Sequence, residues 1–395
     1  MPKETSIQNA PATGTDWARF RQLMPIAENW AYFDHAAVAP LPQPSLEAIS
    51  KWANEAATAG DAVWPDWRRQ HEECRQTAAD LINGSSQEIA LIPNTTFGIN
   101  LVADGFDWQS GDNMVLPDHE FPSNVYPWLS LESRGVEIRR VPLDNHKICL
   151  DRIVSACDER TRVVSVSWIG YASGYRIDPK SFATAIHDAG ALFFLDAIQG
   201  LGVFPLDVRD ADIDFLAADG HKWMLGPEGA GVFYLKTEHL DRLRPLNIGW
   251  NSVQGSHFSE VAMKVKREAS RYEGGTQNNA GFIGLNASLK LLAQFGLNHV
   301  TSPIADQVLQ ITDRMCEALS ANGAEVKSTR GSDCSSGIVA FDVPGHDLAE
   351  VRTAMLANNV NVSCRGGYLR AAAHCYNDAT DIDRLIETIR QVTKC

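Results

Sequence analysis

The sequence predicts an α/β protein in which a mainly parallel seven-stranded sheet forms a large domain and a smaller α+β domain follows. Three observations carry this. From about Gln87 onward, seven short apolar runs alternate with stretches mostly long enough for a helix. The run ALFFLDA (191–197) is apolar on both faces, as a strand covered on both sides by helices must be. After roughly Lys266 the rhythm stops and long amphipathic patterns take over.

Residues 1–18, rich in Pro, Thr, Gln and Asn, offer too little apolar surface to offset ordering and read as a mobile tail. The large domain is expected over 19–265. Its strands are EIALIP, NMVLP, VEIRRVPL, RVVSVSW, ALFFLDA, IDFLAA and AGVFYLK. AGVFYLK follows its predecessor after a short stretch containing Gly and Pro, which suits an antiparallel neighbour. The small domain, 266–395, opens with an amphipathic pattern from Gly281 to Phe295 and a helix near 303–322. IVAFDV, a helix near 347–358, VNVSC and a last helix near 379–393 complete it. The N-terminal part of the large domain is free to pack on it.

Composition narrows the function. The 395 residues carry 35 Lys plus Arg against 49 Asp plus Glu, a net charge of -14 that repels nucleic acid and anionic membrane surfaces. No run of 18 apolar residues occurs, and the polar start lacks the apolar core of a secretion signal. The eight cysteines form no CxxC pair, and neither HxxxH nor HExxH appears. Free thiols in a reducing cytoplasm, without a metal centre, are expected.

Two segments could carry chemistry. Asp196 ends the doubly apolar run, and open α/β sheets bind ligands outside the carboxyl ends of their strands. In DGHKWMLGPEGAG, Lys222 is flanked by Trp223, Met224 and Leu225, apolar company that favours a neutral amine. Taken singly, these residues are an N-cap or ion pair and a snorkelling surface lysine. Together they supply what pyridoxal phosphate needs: an amine for its aldehyde and an acid for its ring nitrogen. Gln199 could donate to the ring's phenolic oxygen. Thr95 and Thr96, at the start of a helical pattern, offer free N–H groups and a helix dipole to the phosphate, or ordinary capping.

With these motifs the chain resembles the class V aminotransferase family. These are fold-type I pyridoxal phosphate enzymes that include cysteine desulfurases, selenocysteine lyases, kynureninase and isopenicillin N epimerase. The likeness runs from FDHAAVAP (33–40) to YNDATDIDRL (376–385), and LDAIQ with DGHKWMLGPEGAG is its most specific part. The resemblance implies Lys222 as the Schiff-base lysine, Asp196 as the pyridinium partner and Gln199 as the phenolate contact. His221 and Thr96 would hold the phosphate, with Thr95 beside them. RYEGGTQN would carry Thr276 to the cofactor of a neighbouring subunit, implying a homodimer. Arg370 would grip the substrate carboxylate, and His35 would face the substrate.

The sequence departs from the desulfurase pattern at several places. Phe121 stands where a histidine usually stacks on the ring; it can stack but cannot shuttle protons. His119 lies two residues earlier. The usual asparagine near the phenolic oxygen falls on Trp168, and a serine that often precedes GHK is Asp219, a poor neighbour for phosphate. A desulfurase carries sulfur on a loop cysteine ahead of the arginine, whereas here Cys364 is followed by only five residues before Arg370. Cys364 reads better as the end of a strand, and Cys375 and Cys334 are weaker candidates. Trp64 and Trp67 read as packing residues.

The expected function is therefore an enzyme acting at the α-carbon of an L-amino acid, foremost a cysteine desulfurase or carbon–sulfur lyase. The alternatives are an epimerase, an aminotransferase, or a catalytically silent partner protein with this fold.

Overall fold

The computed structural model describes residues 15–144, 146–255 and 263–393. Residues 1–14 of the expected tail lie outside it. Thr15 and Asp16 lead into a helix at Trp17–Gln22, which Asp16 caps through the Arg19 N–H. Trp17 stacks on Phe295 at 6.1 Å, burial that a tail would lack.

Seven strands build the main sheet: Ile89–Ile92 (β1), Asn113–Pro117 (β2), Glu137–Val141 (β3), Thr161–Ser167 (β4), Leu192–Asp196 (β5), Phe215–Asp219 (β6) and Gly231–Leu235 (β7). Their spatial order is β1-β7-β6-β5-β4-β2-β3. β7 runs antiparallel to both β1 and β6, and every other pair is parallel. The antiparallel neighbour follows from chain length, since the eleven residues from Gly220 to Ala230 hold a turn and no crossover helix. β1, β2, β6 and β7 are buried throughout, and β5 is buried from Phe193 to Asp196. Two apolar clusters fill the faces. Phe193 and Leu195 of β5 belong to one and Phe194 to the other, as period-two alternation requires.

A second sheet of four strands contains Glu325–Val326 (β8), Ile338–Asp342 (β9), Ser363–Arg365 (β10) and Tyr368–Ala372 (β11), in the order β10-β11-β9-β8. β10 and β11 form a hairpin around Gly366 and Gly367, both with positive φ, as a tight turn needs. The N-terminal segment reaches this region, for Ala31–Tyr32 pair in parallel with Val360–Asn361. The helix Asn279–Gln294 packs the other way, against helices Gln43–Thr58 and Trp64–Leu81. Among the described residues no helix is long and apolar enough to cross a membrane.

Candidate active site

β5 ends in a carboxylate and β6 in a turn, and these two features create the site. Asp196 closes β5, is 3% exposed, and accepts from the Ile198 N–H at 3.1 Å. Burial pushes its carboxyl up to about 6, opposed by that N–H and by Lys222. β6 continues into Gly220, where a Cβ would stand 2.6 Å from the Ala230 carbonyl, so only glycine lets the chain turn here. Beyond it, Trp223, Met224 and Leu225 are buried and carry Lys222 inward with them. Burial lowers the Lys222 amine to about 8, against the attraction of Asp196, Asp219 and Asp34 and with the repulsion of Arg370. An amine near that value is neutral in a useful fraction at ordinary pH.

Lys222 and Asp196 face one cavity of about 330 Å³. Thr95, Thr96, Phe121, Gln199, His221 and Arg370 line it as well. The helix Thr95–Gly105 starts at its wall, with Asn94 capping the Phe97 N–H at 2.9 Å. The first N–H groups of that helix have no carbonyl to reach within it and are open to an anion. Thr96 donates its hydroxyl to Ser123 at 2.8 Å. Thr95 turns inward instead, accepting from the Asp219 N–H at 2.9 Å. The Asp219 carboxylate lies 2.9 Å from His221 Nδ1, out of line for a hydrogen bond, so that buried ring nitrogen has no partner among the described residues. Gln199 accepts from Trp223 Nε1 at 2.7 Å and donates one amide hydrogen to the Ala36 carbonyl at 3.1 Å, which leaves its second hydrogen for the cavity.

Arg370 is 2% exposed on β11. Nε donates to Ser363 Oγ at 3.2 Å, Nη1 to the Tyr171 carbonyl at 2.8 Å, and Nη2 to Asp34 Oδ1 at 3.1 Å. A guanidinium has five N–H donors, so one remains on each Nη, the pair a carboxylate accepts from. Phe121 is 40% exposed, meets Tyr171 edge to face at 5.4 Å, and lies 5.5 Å from Lys222 Nζ.

Two expectations need correction. His35 does not line the cavity: its nitrogens bond to the Ala372 carbonyl and the Tyr376 hydroxyl, each at 2.8 Å, and burial lowers it to about 4. It is a neutral core histidine. Trp168 is buried against Gly200 and Phe204, so Ser167, one residue earlier on β4, faces the cavity in its stead. Thr276, expected to serve a neighbouring subunit, is exposed and stands apart from this chain's own cavity wall. Trp67 packs on Trp52 at 5.9 Å, while Trp64 remains 40% exposed. Cys364 sits within β10 and its Sγ points to the Leu348 carbonyl at 3.7 Å, away from Ser363 and Arg370. Burial raises the Cys364 thiol and pushes that of Cys375 far up.

Sequence reading missed Asp34, Glu120, Ser123, Ser167 and Tyr171. Glu120 is buried and accepts from the Ser167 N–H at 2.8 Å and from its hydroxyl; burial pushes it up to about 7. Asp34 lies in FDHA (33–36) and Glu120 and Ser123 in EFPSN (120–124), but nothing local distinguishes these polar residues from ordinary loop residues.

A buried amine of lowered pKa, a buried acid facing the same space and an anion cup at a helix start define an α/β enzyme built for pyridoxal phosphate. The donor set fits that group, whose chemistry when bound is to draw electrons from the α-carbon of an amino acid. The family model for class-V aminotransferases matches residues 31–385, and the chain belongs to that family. A probable cysteine desulfurase of Methanothermobacter thermautotrophicus is 33% identical over 400 residues, covering 94% of this chain and 97% of the relative. The apo cysteine desulfurase of Thermococcus onnurineus superposes with a TM-score of 0.86 at 25% identity, covering 95% of this chain and 98% of that one. The cystine C–S lyase C-DES shares the fold, with a TM-score of 0.86 at 22% identity and coverage of 93% and 98%.

Proposed function

We propose that this enzyme breaks the Cβ–S bond of an L-cysteine-type amino acid, with the sulfur leaving directly rather than onto a cysteine of this chain. The two open Nη donors of Arg370 take the substrate carboxylate and fix which face of the α-carbon meets Lys222. Lys222 would hold the cofactor's aldehyde, and its amine, lowered to about 8 by burial, would serve as the base for the α-proton. Asp196 would keep the ring nitrogen cationic, Gln199 would donate to the phenolic oxygen, and Phe121 would stack on the ring. Thr96 and His221 would hold the phosphate, with Thr95 beside them. The bonding pair leaves with sulfur, so that RS–CH2–CH(NH3+)–COO− and water give RSH, pyruvate and ammonium.

The observation that carries this choice is Cys364. Its thiol points at the Leu348 carbonyl from inside a strand, with no loop to move it. The names of the relatives support sulfur chemistry. Phe121 favours a second reading, epimerisation or transamination, because it cannot relay a proton to a departing sulfur.

The test is incubation with L-cysteine, L-cystine, cysteine sulfinate and selenocysteine, reading sulfide, selenide, alanine and pyruvate. Pyruvate that persists in Cys364→Ser is expected. Alanine lost in that variant would make the enzyme a desulfurase using Cys364. No turnover, with solvent deuterium entering the α-carbon or dependence on a 2-oxo acid, would transfer the enzyme to the second reading.

The same reading makes the enzyme a homodimer in which Thr276 serves the neighbouring subunit's phosphate, supported by its exposure after Gly274 and Gly275. Mixing inactive Lys222→Ala with inactive Thr276 variants should restore part of the activity. A cytoplasmic setting is supported by seven described cysteines, all unpaired.

A further inference from the structure

We infer that a second cavity, beyond Tyr171, receives the substituent on the substrate's sulfur, so that the preferred substrates are L-cysteine S-conjugates bearing an aryl or comparably bulky apolar group. The inference rests on the amino-acid site proposed above and names what enters it. The second cavity has about 310 Å³, close to the size of the first. Tyr171 lines both. Its carbonyl is held by Arg370 Nη1 at 2.8 Å, and its ring meets Phe121 at 5.4 Å. Tyr171 thus links the wall of the second cavity to Arg370 and Phe121, which line the first.

Most of the far cavity's wall is apolar, with Asp118, Glu120, His146 and Lys327 also lining it. Leu143, Ile148, Tyr175 and Tyr368 contribute aliphatic and aromatic surface from the loop after β3, the loop after β4 and the hairpin. A free cysteine thiol would leave that surface unfilled, whereas an aryl group removes it from water, the usual source of affinity for an apolar subsite. His119 opens into this cavity and not the first, from a backbone at φ 63° that non-glycine residues seldom adopt. That turn sends His119 to one cavity and Phe121 to the other. A conjugate also suits the position of Cys364, since its sulfur departs as a complete thiol and needs no acceptor on the chain.

The test separates this subsite from the reaction. L-Homophenylalanine is the carbon isostere of S-phenyl-L-cysteine, and L-2-aminobutyrate that of cysteine; neither has a C–S bond to break. Calorimetry on the holoenzyme should give a Kd for L-homophenylalanine at least tenfold below that for L-2-aminobutyrate. Ala172→Trp, which fills the second cavity, should erase that gap, and so should Leu143→Trp from another wall. Equal dissociation constants, or a gap that survives in both folded variants, overturn the subsite. S-phenyl-L-cysteine should then yield thiophenol and pyruvate faster than S-methyl-L-cysteine. A binding gap without thiophenol would leave the subsite standing and remove the C–S lyase reading.

Discussion

The guanidinium of Arg370 and the carboxylate of Asp34 meet at 3.1 Å, joining residues 336 positions apart in the chain. Ser363 completes the contact, donating to Asp34 at 2.8 Å and accepting from Arg370 Nε. Asp34 both offsets the cost of burying Arg370 and fixes its plane, which decides where the two open Nη donors point.

Arg370→Lys should therefore raise KM for the amino acid by about tenfold to a hundredfold, the worth of charge-assisted bonds that a point charge cannot make in pairs. Asp34→Asn, which disturbs position and leaves the donors, should raise KM less and change kcat little. Steady-state kinetics on both variants checks the split; a fall confined to kcat in Asp34→Asn would contradict the positioning role.

The lowered pKa of Lys222 has a direct reporter. In cofactor-free protein, reductive amination of Lys222 by a simple aldehyde needs the neutral amine, so labelling should rise with pH through a midpoint near 8, ahead of the surface lysines. Peptide mapping by mass spectrometry follows it. A midpoint above 10 would mean that burial does not govern this amine.

Glu120 gives a pH signature of stability. Its folded pKa, about 7, exceeds the ordinary 4.5, so the folded state holds the proton more tightly. The stability this contributes is complete below about pH 4.5 and is lost as pH rises through about 7. Glu120→Gln removes the titration and keeps an acceptor for Ser167. At pH 8 its Tm should exceed that of the parent by a few degrees, and at pH 5 the advantage should shrink or vanish. Thermal unfolding at the two pH values is the measurement.

The segment carrying Thr276 is anchored by a buried ion pair. Glu273 receives both Nη atoms of Arg75, together with the Leu91 N–H at 2.9 Å and Gln277 Nε2 at 2.9 Å. The side chains are 5% and 1% exposed. Glu273→Ala leaves Arg75 charged and buried with Glu72 and the Ile89 carbonyl as remaining partners, and should cost about 3–5 kcal/mol. Urea denaturation checks it. A loss under 1 kcal/mol would show that water reaches the guanidinium.

Much of the fold was legible in the chain because it rests on local pattern. The seven strands, the antiparallel turn of AGVFYLK and the carboxyl-end position of Asp196 follow from apolar runs, chain length between them and the rule for open sheets. Lys222 stood out because a charge among buried apolar residues must be explained. Sequence misjudged positions decided by side-chain parity or by distant partners. Ser167 and Trp168 exchange roles because adjacent strand residues point to opposite faces, and a shift of one reverses them.

What the sequence determined by itself is the layered sheet and the presence of an amine and an acid at its carboxyl edge, since periodicity and burial act over a few residues. Tertiary structure alone decided that Asp34 steadies Arg370, that His35 is sealed into the core, that Cys364 faces Leu348, and that Tyr171 lines two cavities. These depend on which distant segments meet, and no local pattern of side chains encodes that meeting.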